Sequence, residues 1–259
     1  MITSKSNPKI KWIRRIQADR RFRHKEGCFV IEGMRWLKDP VQLEYFPVLS
    51  IATESWLQEP QNQSLASKLP HFPLPVSQEV MDHASLMESA PGILAALPIP
   101  LIPLPKSPTL LLILDRVANP GNLGSLLRTA SAAGCSAVLL TPGCADPFNP
   151  KALRGGMGAQ VRLPIQSIDW PDIRKQTSSL ATYIASSGGS QPFYGIDWLP
   201  PSAIIIGSEA SGPGKEALGL TQSEISIPMQ SGVESLNAAV AGGIILFEVA
   251  RQRARINRG

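Results

Sequence analysis

Thr109-Leu110-Leu111-Leu112-Ile113-Leu114 runs directly into Asp115-Arg116-Val117-Ala118-Asn119-Pro120-Gly121-Asn122-Leu123-Gly124, and Arg128 follows. The opening positions form a continuous apolar run, as expected of a strand buried on both faces. Gly121 and Gly124 let the backbone turn sharply and approach another group. Residues 122–133 then read as a helix. Strand, polar loop and helix in this order predict the first unit of a mainly parallel α/β domain.

Downstream, strand-like segments recur at 136–141, 161–165, 181–185, 203–207 and 224–228. Helices are expected at 149–158 and from Ser235 to about Arg255. Upstream, residues 97–108 alternate proline with apolar residues, which favours an extended, semi-rigid chain. The expected division is therefore 1–97, a linker at 98–108, and an α/β domain at 109–259. In the first part, residues 8–23 read as one helix with Ile10, Ile13 and Ile16 at near-helical spacing. Residues 28–31, 48–53 and 75–76 read as strands, 34–37 as helix, and 55–70 as helix with loop.

Composition bounds the chemistry. The 259 residues are 43% apolar, enough for a sizeable core. No apolar stretch is long enough to span a membrane, and the N-terminus is polar and basic, so a cytosolic protein is expected. Cys28, Cys135 and Cys144 are odd in number and widely spaced, which argues against a disulfide framework or a zinc site. His24, His71 and His83 all precede residue 100, so chemistry in the second half proceeds without a histidine triad or a histidine-held metal. Net charge is +5, yet residues 1–40 alone carry +7. A basic end of this kind fits a polyanionic partner or a solvated face equally well.

In open α/β sheets, ligands collect at the carboxyl ends of strands. Three loops qualify. The first, Asn119 to Gly124, has only Gly121-x-x-Gly124 of the G-x-G-x-x-G dinucleotide fingerprint. The second, Ile206-Gly207-Ser208-Glu209-Ala210-Ser211-Gly212-Pro213-Gly214-Lys215, fails as a phosphate loop, because Glu209 stands where a glycine is needed and Glu216 follows Lys215. Its carboxylate suits a neutral or cationic ligand. The third holds Ile227-Pro228-Met229 and Glu234-Ser235-Leu236-Asn237. It leads into a helix with Leu236, Val240, Ile244 and Phe247 as an apolar stripe. Ala241-Gly242-Gly243 would let another helix pack close. Singly, each loop reads as an ordinary turn.

In this order and spacing, the three loops resemble the motifs of the SpoU-type (TrmH-like) RNA ribose methyltransferases of the SPOUT superfamily. Asn119 to Gly124 with Arg128 is similar to the first motif, Ile206 to Gly212 to the second, and Ile227 to Met229 with Ser235 to Asn237 to the third. Ser6 to Lys11 and Phe29 to Gly33 resemble the family's small substrate-binding domain. Pro213 departs from the leucine common after the second motif.

The resemblance implies an α/β fold: a C-terminal domain with a parallel sheet and a deep trefoil knot, preceded by a small L30e-like RNA-binding domain. It implies S-adenosyl-L-methionine as cofactor, contacted by Gly207, Ile227, Met229, Ser235 and Leu236. Arg128, Asn122, Glu209 and Asn237 would form the catalytic group. The resemblance implies Arg128 as the base; because a guanidinium in general stays protonated, the preferred expectation is that Arg128 binds the phosphate or alkoxide beside the 2′-OH, with base action as the alternative. Lys9, Lys11, Arg14, Arg15, Arg20, Arg21 and Arg23 would grip RNA phosphates, which gives affinity but little sequence choice. A cytoplasmic homodimer joined through the last helix is implied, without metal or membrane. Its substrate would be ribosomal RNA, most naturally 23S rRNA, in preference to transfer RNA. The alternatives are a silent RNA-binding or assembly protein of the same fold, and a nucleotide-dependent α/β enzyme.

Overall fold

The computed structural model describes residues 1–208, 212–221 and 223–256. Two compact units emerge: Met1–Pro100 with Phe148–Leu153, and Leu101–Pro147 with the chain from Arg154.

The first unit contains α1 (Pro8–Ala18), α2 (Arg20–Glu26), β1 (Cys28–Glu32), α3 (Met34–Gln42), β2 (Leu49–Thr53), α4 (Glu54–Gln58), α5 (Pro60–Ala66), β3 (Leu74–Val76), α6 (Gln78–Ala84) and β4 (Ile93–Pro98). Its sheet has the order β1-β4-β2-β3. The helix expected over 8–23 is two helices. Asp19 leaves helical geometry at φ −111° and ψ 111°, and its carboxylate accepts the Phe22 N–H to cap α2. Ile10, Ile13 and Ile16 are fully buried against Val30, Ile51, Leu94 and Ala96. Each such side chain contributes about 1.5–3 kcal/mol. The strand β4 was not anticipated. It is central, paired with β1 and β2 on its two edges.

The second unit contains β5 (Leu110–Leu114), α7 (Pro120–Ala132), β6 (Ala137–Leu140), β7 (Ile165–Ser167), α9 (Trp170–Thr177), β8 (Ala181–Ala185), β9 (Gln191–Pro192), β10 (Ser202–Ile206), α10 (Lys215–Leu218), β11 (Ser223–Ser226) and α11 (Ala238–Ile256). Helix α8 (Pro150–Gly156) lies between β6 and β7 in the chain. The seven strands are ordered β7-β6-β5-β10-β8-β11-β9, and every pairing is parallel. All five residues of β5 and all five of β10 are buried, the doubly covered state that their apolar runs require. The strand expected at 161–165 sits later, because Ala159–Val161 forms a 3-10 turn first.

The last helix starts at Ala238, not at Ser235. Asn237 caps it, its Oδ1 accepting the Ala239 and Val240 N–H groups. At the far end, Arg253 donates to the carbonyls of Trp198, Thr109 and Pro200. The small-residue stretch brings α11 against α7. A Cβ built on Gly242 would lie 2.4 Å from the Leu126 side chain. Leu126 is itself fully buried. Gly242→Val should therefore cost about 1–3 kcal/mol by overpacking, read as a lower midpoint in urea unfolding. An unchanged midpoint would show that the two helices part freely there.

Candidate functional site

The carboxyl ends of β5, β8, β10 and β11 point the same way, so their following loops share one edge of the sheet. A cavity of about 380 Å³ opens there. Gly207, Gly212 and Pro213 from the second motif line one side. Ile227, Met229, Ser235 and Leu236 from the third line another. The structure thus brings together all five residues expected at a cofactor: Gly207, Ile227, Met229, Ser235 and Leu236. Sequence reasoning missed the third wall, Ala185 at the end of β8 with Ser186 and Ser187 following it. Its signal was present: small polar residues immediately after a strand.

Gly207 is where β10 ends, and its lack of a side chain is a packing requirement. A Cβ there would sit 2.5 Å from the Pro213 nitrogen and 2.6 Å from the Gly212 carbonyl carbon. Both are backbone atoms and cannot rotate away. The proline that departs from the family pattern is thus part of the cavity wall.

Asn122 and Asn237 also meet. The Asn237 Nδ2 donates to Asn122 Oδ1 at 3.0 Å. Since Asn237 Oδ1 caps α11, its amide joins the start of that helix to the first turn of α7. Asn119 caps α7 from the other side, accepting the Gly121 and Asn122 N–H groups. Arg128 stands exposed two turns further along α7. Asn122, Arg128 and Asn237 do not line the cavity. Glu209 lies outside the described residues. Cys144 donates its thiol to the Leu114 carbonyl, and burial pushes its pKa up, so it stays a neutral packing group. No cluster that could hold a metal ion occurs among the described residues.

The cavity suits a small organic cofactor. Its volume falls in the range of ligand pockets, Ile206, Ile225, Ile227 and Leu236 offer apolar faces for a flat ring, and the serines and glycine turns offer polar groups.

In the first unit, Lys9, Lys11, Arg14, Arg15, Arg20 and Arg21 are exposed on α1 and α2. Arg23 is a correction. It is 2% exposed, and its guanidinium donates to the carbonyls of Ile16 and Gln17 at the end of α1. Terminal helix carbonyls lack helical partners, and a cation satisfies them. Arg14 instead meets His83 Nε2 at 2.9 Å, a residue that no sequence pattern marked. Burial and then the charges of Arg14 and Lys5 hold the His83 pKa below its ordinary value.

A seven-stranded parallel sheet with a cavity walled by glycine-bearing strand-end loops is the arrangement of an α/β protein that binds a small ligand at the carboxyl ends of its strands. The chain belongs to the SpoU rRNA methylase family, whose model matches residues 109–247. Residues 7–95 match the MRM3-like substrate binding domain. The chain is 33% identical to an uncharacterized tRNA/rRNA methyltransferase of Synechocystis, over 97% of this chain and 94% of that one. A crystal structure of an RNA 2′-O ribose methyltransferase superimposes with TM-score 0.82 at 29% identity, covering 98% and 99% of the two chains. An AdoMet-bound rRNA methyltransferase from Sinorhizobium meliloti does so with TM-score 0.85 at 27% identity, covering 96% and 97%.

Gly207→Ala should weaken binding of S-adenosylmethionine at least tenfold in calorimetry, because the added methyl must displace the wall at Pro213. Binding unchanged within twofold would mean that this wall does not shape the cofactor site.

Proposed function

We propose that this protein transfers the methyl group of S-adenosyl-L-methionine to a ribose 2′-OH of ribosomal RNA. One observation carries the reading: the loops after β10 and β11 close on a single cavity of cofactor size, and the Asn122–Asn237 bridge joins that wall to the helix bearing Arg128. Family membership and the activities of the relatives support it.

The cofactor, when bound, supplies a methyl group made electrophilic by its sulfonium. Ile206, Ile225, Ile227 and Leu236 would hold the adenine, with Gly207 and Met229 contributing backbone groups. Ser235 would add a hydroxyl. Asn237 keeps α7 and the third loop in register, and Asn122 orients the ribose or Arg128. Glu209 would order the second loop. The 2′-oxygen must lose its proton during transfer. Arg128 binds the adjacent phosphate or the forming alkoxide, and stabilisation of that kind amounts to roughly 3–4 kcal/mol.

The RNA is gripped by Lys9, Lys11, Arg14, Arg15, Arg20 and Arg21 on α1 and α2. The division at 1–97, 98–108 and 109–259 assigns this grip to the small domain and the chemistry to the large one. We infer 23S rRNA as the substrate in preference to transfer RNA. A trefoil knot fits the strand order, since β10 follows β5 and β8 in the chain yet lies between them. A cytoplasmic setting suits three buried, free cysteines. Among the described residues no helix is long and apolar enough to cross a membrane.

A homodimer through α11 is supported by the exposure of its stripe: Val240 is 50% exposed, Ile244 37% and Phe247 54%. Apolar side chains in a row on a surface mark a contact. Phe247→Asp should shift the protein to half its mass in sedimentation, and an unchanged mass would remove α11 from the interface.

The function is tested by incubating the purified protein with radiolabelled S-adenosylmethionine and total cellular RNA. Label should enter 2′-O-methyl groups of ribosomal RNA. Arg128→Ala should retain cofactor affinity while slowing transfer about 10²–10³-fold. Cofactor and RNA binding by the wild type without any transfer would favour a silent assembly protein. Label confined to transfer RNA would overturn the substrate assignment.

A further inference from the structure

The second-motif wall contains a structural problem. Gly212 and Pro213 line the cavity, but a proline has no N–H with which to anchor itself. Its position must be set by its neighbours. On one side, the Gly214 N–H donates to Asp115 Oδ2 at 2.7 Å. On the other, the Gly212 carbonyl accepts from Arg116 Nη2 at 3.3 Å. Asp115 and Arg116 are themselves joined, with Arg116 Nε 3.2 Å from Asp115 Oδ1.

This pair follows β5 directly and is costly to hold. Asp115 is 1% exposed, and a buried charge needs partners. It receives Gly214, Arg116 and the Thr141 hydroxyl, the last at 3.2 Å. Arg116 adopts φ 58°, a left-handed conformation uncommon for a residue with a side chain. Its own N–H donates to Thr141 Oγ1 at 3.0 Å. Such strain persists where the surroundings enforce it. Here the contact it secures lies across 96 residues of chain.

We propose that Asp115 and Arg116 are positioning residues of the cofactor site: an ion pair between a buried carboxylate and a half-exposed guanidinium that clamps both flanks of Pro213 and so sets the cavity wall against which S-adenosylmethionine binds. The inference rests on the reading of this cavity as the cofactor site. Neither residue touches the reacting atoms. Both set the site before the cofactor arrives, so their loss shows in cofactor affinity.

The test uses full-length protein with S-adenosylmethionine and RNA. Arg116→Ala removes a side chain that is 43% exposed, and Asp115→Asn keeps the shape while removing the charge. Each should raise the Kd and the KM for S-adenosylmethionine about tenfold. The kcat at saturating cofactor should stay within about threefold and RNA affinity near wild type; the melting temperature should stay near wild type for Arg116→Ala and fall for Asp115→Asn, whose amide faces buried donors. Arg116→Lys, which retains a donor for Gly212, should recover part of the loss. Cofactor affinity within twofold of wild type in both variants would overturn the proposal. So would a fall in kcat with KM unchanged, or a parallel loss of RNA affinity and melting temperature. Wild-type protein that fails to bind S-adenosylmethionine would instead overturn the functional reading, before any variant is compared.

Discussion

Strand β10 is paired on both edges, Ser202 to Ile206 matching Leu110 to Leu114 on one side and Ala181 to Ala185 on the other. The rest of the catalytic unit depends on that double pairing. A strand held twice cannot slide, and a one-residue slip would turn every side chain to the opposite face. Gly207 therefore leaves the sheet at one defined point, beside the ends of β5 and β8. The chain there has no room for a side chain, and the wall formed by Gly212 and Pro213 is pressed against it.

Polar groups then finish what the apolar sheet begins. Parallel strands buried on both faces leave few side chains for specificity except at their ends. The site residues accordingly occur in turns, and turns need anchors. Asn119 and Asn237 anchor helix starts, and Asn237 also joins α11 to α7. Asp115 and Arg116 anchor the loop that contains a proline. These contacts are individually modest, on the order of 1 kcal/mol for a neutral hydrogen bond. Their value lies in holding separate loops in one arrangement ahead of ligand.

The first unit shows the same economy at a surface. Exposed Lys9, Lys11, Arg14 and Arg15 share α1 with three fully buried isoleucines, and Arg20 and Arg21 continue the basic run on α2. Arg23 is the instructive exception. It belongs to the same basic run, but the carbonyls ending α1 claim it. A helix break at Asp19 turns the chain, and the turn swings Arg23 inward. A charge count along the sequence cannot separate a phosphate ligand from a helix cap.

What the sequence determined by itself is considerable. The apolar runs at Leu110 to Leu114 and Ala203 to Ile206, set among alternating helical patterns, indicate strands covered on both faces, and both are fully buried. The order of the three glycine-bearing loops specifies the family, and with it Gly207, Ile227, Met229, Ser235 and Leu236, which meet in one cavity. Other features were decided only by tertiary structure. The central place of β4, the wall after β8, the start of α11 at Ala238 and the burial of Arg23 all depend on what lies across the fold. So does the clamp at Pro213, whose partners are about a hundred residues apart in the chain. Local pattern records which residues can turn or pair. Which distant atom completes a hydrogen bond is settled only when the sheet is assembled and water is excluded from its edge.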